Sequence, residues 1–257
     1  MAYYSKINQE LFKINQLVKL HFITRYRRSY LGYLWSLMNP VLYMAVTATV
    51  FSLILRFPIE NYVVYLFSGL VPWMLINASV TSGGRALLQN EGLIKKIYIP
   101  KLTFMISTTL ALTIDSLLSF ISLVIFMFIL KSHFSPSFFF IIPAYFICFL
   151  LCISCVICFS LLFVFFRDLE HLTVVVMQAL FYLTPVIYPL SSIPEQYHTY
   201  FQYNPIFPII NIFQSILYSG VVPELKMWLY AIAVDLVLLL LALLSYRQYA
   251  NKLAFRF

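Results

Sequence analysis

The stretch RYRRSYLGYLWSLMNPVLYMAVTATVFSLIL, residues 25–55, sets Arg25, Arg27 and Arg28 just before an apolar run that continues without a charge to Leu55. A helix needs about 20 apolar residues to cross ~30 Å of hydrocarbon, and basic residues gather at the lip of such a span. Tyr30, Tyr33 and Trp35 follow the arginines, where amphipathic rings sit at headgroup depth.

The rest of the chain repeats this pattern. Hydrophobic residues make up 62% and charged residues 10%, with mean hydropathy +0.90. A water-soluble domain carries about 25% charged residues, so this composition cannot solvate a globular surface. Apolar runs fall at about 33–55, 62–80, 102–130, 138–166, 172–190 and 228–246. They are continuously apolar rather than alternating, which predicts helices and not a barrel. The expected fold is all-α integral membrane with six transmembrane helices. A further run, PIFPIINIFQSILYS at 205–219, is too short to cross.

Charge placement gives the orientation. Fourteen of the seventeen lysines and arginines fall in the segments that share a side with the N-terminus; only Arg56, Lys131 and Lys226 fall opposite. The positive-inside rule makes both termini cytoplasmic. The same distribution explains the net charge of +8 without nucleic acid, because the basic residues sit in loops between spans and form no binding stripe.

Residues 5–28 precede the first span and are not expected to be a signal peptide, because no apolar core and small-residue cleavage site follow the lysines. Ile7, Leu11, Ile14, Val18 and Phe22 recur at helical spacing, with Lys6, Lys13, Gln16 and Lys19 off the stripe and Phe12, Leu20 and Ile23 breaking the pattern. This predicts an amphipathic helix on the inner leaflet, held by apolar contact and by basic contacts to membrane lipid. It reads equally as a tether and as a working element.

The loop TSGGRALLQNEGLIKKIYIPK, 81–101, is long enough for a short helix, broken at Gly92 and closed by Pro100. Arg85, Glu91, Lys95, Lys96 and Lys101 alternate with leucines and isoleucines. A topology loop needs only the lysines; interleaved apolar residues also fit a surface that docks a partner. On the other side, six of the twelve prolines fall in 185–223. Prolines break helices where protein or water can satisfy the freed backbone, so 205–219 reads as a re-entrant element or cap.

Catalytic chemistry is sparse. Cys148, Cys152, Cys155 and Cys158 lie along one span with no histidine or carboxylate near in sequence, and four thiols on a straight helix cannot surround one ion, so no metal site is expected. No HExxH, G-x-S-x-G or GxxxxGK[ST] occurs, which predicts no catalytic site and no P-loop. Asp115 and Asp235 lie inside spans, where a carboxylate costs ~2.5–3.5 kcal/mol on insertion scales and therefore faces the bundle interior. Each reads as a polar contact on a substrate path or as a local bond to a neighbouring hydroxyl or helix.

The runs RYRRSYLGYLWSLMNPVLYMAVTATVFS, YLFSGLVPWMLI, NEGLIKKIYIPK, FRDLEHL, FYLTPVIYP and YNPIFPII occur in this order over nearly the whole chain. Together they resemble the membrane subunit of an ABC-2 type exporter, in the branch that moves O-antigen, capsule and teichoic-acid polymers. One departure is Gln214, at a position where members often carry arginine.

The resemblance implies a homodimer of six-helix subunits in the bacterial inner (plasma) membrane, with two copies of a separate ABC ATPase below that hold ATP and Mg, leaving this chain no cofactor of its own. It makes 1–32 an interface helix, 33–246 the transmembrane domain, 81–101 a coupling loop, 191–227 an extracytoplasmic gate and 247–257 a cytoplasmic tail. Arg85, Glu91, Lys95 and Lys96 become the expected ATPase contacts, with Arg25, Arg27 and Arg28 at the inner membrane edge. The substrate would be a polysaccharide, on a lipid carrier where the polymer has one. An ABC-2 drug or lipid exporter is the alternative. Aromatics make up 18% of the chain, and their flat apolar faces with polar tips suit sugar rings. Tyr43, Trp73, Phe181, Tyr182 and Tyr188, with Asp115, are the candidate path residues; lipid-facing belt positions are the competing reading for each aromatic.

Overall fold

The computed structural model describes residues 2–26, 30–32, 34–55, 58–131, 134–250 and 252–255. Arg27, Arg28, Tyr33, Arg56, His133 and Arg256 lie outside the described residues. Among the described residues, eleven α-helices follow in chain order: α1 Ala2–Tyr26, α2 Leu34–Leu55, α3 Ile59–Val80, α4 Ala86–Gln89, α5 Glu91–Ile94, α6 Lys101–Ile129, α7 Ile141–Phe165, α8 Leu169–Leu183, α9 His198–Gln202, α10 Phe207–Gln214 and α11 Leu225–Tyr249. No strand occurs among the described residues.

Among the described residues, five helices are long and apolar enough to cross a membrane; they contain α2, α3, α6, α7 and α11. The α3 helix is the hub, in contact with α2, α6, α7 and α10, and Leu66, Phe67 and Leu70 on it are fully buried. By contrast α2 and α11 leave Leu42, Val46, Leu53, Leu236 and Leu240 exposed, as helices that face hydrocarbon do. Helices in lipid associate through close van der Waals packing and small residues. Gly83 and Gly84, ahead of α4, meet α7 in this way: a Cβ on Gly84 would lie 2.5 Å from Phe163 Cε2, and Ser160 Oγ donates to Gly83 O at 3.2 Å.

The expected span at 172–190 is shorter than its sequence indicates: α8 ends at Leu183, about 22 Å of helix at 1.5 Å per residue. Pro185 is the cause. The residue before a proline is driven out of the helical region, and Thr184 is extended (φ −113°, ψ 132°). The segment still runs the length of the bundle, for Glu170 at its start pairs with Arg85 and Ile187 at its end meets Tyr62. Backbone groups freed by the break find partners within the protein. Tyr62 OH donates to Ile187 O at 2.6 Å, Tyr65 OH to Tyr188 O at 2.8 Å, and Gln214 Nε2 to Pro185 O at 3.2 Å.

The 205–219 run turns back into the bundle. The α10 helix continues through a π-helical turn, Ser215–Ser219, and packs on α3, α7 and α11, with the Phe213 ring 5.1 Å from Tyr145. Gly69 on α3 admits Gln214 here, since a Cβ would lie 2.7 Å from its amide nitrogen.

At the other end, which carries the clustered basic residues, α1 lies along α6 and runs parallel to it: Thr103 Oγ1 donates to Glu10 Oε2 at 3.4 Å, and Arg25 pairs with Asp115. The half-buried face includes Ile14, Val18 and Phe22 of the expected stripe together with Leu17 and His21, while Leu11 is 58% exposed. The contact face thus keeps the expected stripe from Ile14 to Phe22 but not at Leu11, and the bonds of Glu10 and Arg25 to α6 widen it towards Leu17 and His21. Lys101 Nζ donates to Ala250 O at 2.7 Å, so both the α1 side and the α11 end meet at the start of α6.

Candidate transport path and coupling surface

Four of the aromatic path residues come together from three helices. Tyr43 of α2, Trp73 of α3, and Phe181 and Tyr182 of α8 line one open cavity of about 530 Å³, with Asn77 and Gln178 as its polar members. Trp73 and Phe181 form the floor, 5% and 8% exposed, their ring centroids 5.3 Å apart. Tyr43 and Tyr182 stand at the mouth, 48% and 64% exposed. Tyr188 lies just beyond and donates its hydroxyl to Tyr182 O, bracing the end of α8. Flat rings around two amides give a surface with apolar faces and hydrogen-bonding edges and no fixed charge.

Asp115 is not among these rings. It lines a second cavity of about 530 Å³ bounded by α1, α2, α3, α6 and the 81–101 segment, and Met74 of α3 borders both cavities. There Asp115 is ion-paired to Arg25. Asp235 on α11 is fully buried, and neither carboxylate oxygen has a hydrogen-bond partner among the described residues. Cys148 and Cys152 on α7 are buried with free thiols. No group of three His, Cys, Asp or Glu placed to hold a metal ion occurs among the described residues.

The 81–101 loop folds as a 3-10 turn, Gly83–Arg85, followed by α4 and α5. Its break is at Asn90 rather than Gly92, because Asn90 Nδ2 donates back to Ala86 O at 2.7 Å and its own carbonyl receives Leu93 N and Ile94 N. Leu87 is buried among α6 and α7 residues, which anchors the loop to the bundle. Arg85 is paired with Glu170 and so bonds within the chain. Lys95 Nζ lies 2.6 Å from Glu91 Oε1. Lys96 is exposed beside Ile97 and a fully exposed Tyr98. These three residues, more than Arg85, form the projecting surface. Sequence reasoning singled out neither His21 nor Glu170 as a site residue; Glu170 lies within FRDLEHL and so had a signal, while His21 had only its place in α1.

Residues 13–218 match the ABC-2 type transporter family. The chain belongs to that family. This ABC-2 chain is 32% identical over 237 residues to an O-antigen export system permease protein of Klebsiella pneumoniae, which covers 91% of this chain and 88% of the relative. It is 29% identical to the protein of the same description from Myxococcus xanthus, over 87% of this chain and 86% of that one. With a polysialic acid transport protein of Escherichia coli it shares 22% identity, over 87% and 88%. The aromatic cavity among α2, α3 and α8 and the exposed loop between α3 and α6 both fall inside the matched region.

Proposed function

We propose that this chain is the membrane subunit of an ATP-driven exporter of a cell-surface polysaccharide. The observation that carries the reading is the uncharged aromatic cavity shared by Tyr43, Trp73, Phe181 and Tyr182, in a chain whose relatives are named as an O-antigen export permease and a polysialic acid transport protein. A polymer must slide, and several weak stacking contacts hold sugar rings without trapping them. In this reading the chain crosses the bacterial inner membrane six times with both termini cytoplasmic, and two copies face each other so that their aromatic cavities border one channel. Two copies of a separate ABC ATPase dock below. Lys96 with Ile97 and Tyr98 meets the ATPase directly, while Arg85, Glu91 and Lys95 hold the loop's shape. ATP and Mg stay in the partner. Nucleotide binding there favours one arrangement of the loop over another, and the channel's access shifts with that population.

The test is deletion of the gene in its host, with surface polysaccharide measured on the cells and inside them. Polymer is expected to vanish from the surface and accumulate inside, with rescue by the wild-type chain and not by Trp73→Ala together with Tyr182→Ala. Affinity purification in mild detergent should bring down a stoichiometric P-loop protein. Unchanged surface polymer, with altered drug or lipid efflux instead, overturns the reading.

A further inference from the structure

The cavity that holds Arg25 and Asp115 carries a second inference, which rests on the polysaccharide-export reading. Its charges cancel: Arg25 bonds to Asp115, so neither offers an unpaired charge to an ionic ligand. What remains is a ring of neutral hydrogen-bonding groups. The lining includes the carboxamides of Asn39 and Gln89, the hydroxyls of Ser82 and Thr108, and the His21 imidazole. His21 Nε2 is buried beneath the cavity surface with no hydrogen-bond partner among the described residues, an unmet group that a turn of the half-buried ring brings to a ligand. Burial pushes the His21 ring below its ordinary value, with Arg25 adding to the fall and Asp115 opposing it; a neutral ring both donates and accepts. Trp35, 40% exposed, supplies a flat face on the same cavity.

We propose that this cavity is a glycan-binding site for one or two neutral sugar rings, separate from the aromatic cavity beyond Met74. Sugar hydroxyls are donors and acceptors at once, as are these amides and hydroxyls, and the apolar face of a pyranose fits an indole. The volume of about 530 Å³ lies within the ~300–1,000 Å³ typical of ligand sites. Its walls are the elements that a docked ATPase would displace: Ser82 and Gln89 belong to the 81–101 loop, and His21 and Arg25 to α1. The site therefore grips the glycan on the basic side of the membrane and loosens when the loop moves.

The test uses the chain with its co-purified ATPase in nanodiscs. The probes are lipid-free fragments of two to four sugars from the host's own surface polysaccharide, with glycerophosphate as a headgroup probe. Asn39 and Gln89 are exposed, so Asn39→Leu and Gln89→Leu preserve the fold. Each is expected to raise the fragment Kd about tenfold or more, as is His21→Phe, while Trp73→Ala leaves part of the binding intact. Wild-type affinity in both leucine variants, with binding lost in Trp73→Ala, places the sugar in the aromatic cavity alone; this overturns the site and leaves the export reading standing. Failure of wild type to bind any fragment overturns the site, and the gene deletion still judges export independently. Direct binding of glycerophosphate without fragment binding makes it a headgroup site instead.

Discussion

Arg25, at the end of the N-terminal helix, is ion-paired with Asp115 near the middle of α6, a residue ninety positions away. The bond ties the helix that precedes the bundle to a transmembrane helix, and it does so in the wall of a cavity that the 81–101 loop also borders. An intramembrane carboxylate thereby gains the partner that its depth requires. The α1 helix is fastened along its length, by Glu10 to Thr103 and by Arg25 to Asp115.

Removing one partner should therefore cost more than a surface pair and less than a buried one. Arg25 is 46% exposed and Asp115 only 14%, so Asp115→Ala is expected to destabilise by about 1–2 kcal/mol, between the exposed and buried limits. Thermal unfolding in nanodiscs should show the loss, and the exchange Arg25→Asp with Asp115→Arg should recover part of it. No recovery in the exchanged pair means that the contact matters through shape alone.

The Gly84 contact makes a graded prediction. A Cβ there would meet Phe163 Cε2 at 2.5 Å and Phe159 Cβ at 3.0 Å. Overpacking of this kind costs about 1–3 kcal/mol, so yield and melting temperature should fall from glycine to alanine to valine. Phe163→Leu should relieve the alanine variant. Equal stability across the series would mean that the start of the loop does not seat against α7 as described.

The spans were legible because lipid exposure forces long apolar runs: Leu34–Leu55 and Lys101–Ile129 differ from the expected bounds by a residue. The end of α8 was not. Val186, Ile187 and Tyr188 prolong the apolar run, and hydropathy does not register that Pro185 halts the helix before them. Aromatic chemistry picked out Tyr43, Trp73, Phe181 and Tyr182, yet only tertiary packing puts α2, α3 and α8 side by side. The partner of Asp115 was hidden for the same reason. From its neighbours Arg25 reads as a topology signal, and nothing local to either residue marks their meeting.

The non-helical link after α8 depends on hydroxyls from α3. Tyr62 is 2% exposed and donates to Ile187 O at 2.6 Å. Tyr62→Phe leaves that carbonyl without this donor in the protein interior, a loss of about 1–3 kcal/mol. Amide hydrogen exchange at Val186–Tyr188 should accelerate in the variant while α6 stays protected. A uniform change across all helices would show that the tyrosine serves global stability and not this link.

Partner docking at the loop should be separable from folding. Tyr98 is fully exposed and Ile97 half exposed, so replacing them changes stability by no more than about 0.5 kcal/mol. An aromatic at the centre of an interface is worth about 2 kcal/mol or more, some thirtyfold in affinity. Tyr98→Ala and Ile97→Ser are therefore expected to keep the wild-type melting temperature and to weaken capture of the co-purified ATPase by about that factor in a surface-binding measurement. Lys95→Ala should matter less, because Lys95 is already engaged by Glu91 at 2.6 Å, and its loss leaves the projecting residues in place. If Tyr98→Ala binds the ATPase as tightly as wild type while Arg85→Ala abolishes binding, the contact lies nearer the membrane, where Arg85 meets Glu170, and the exposed tip of the loop is not the docking surface.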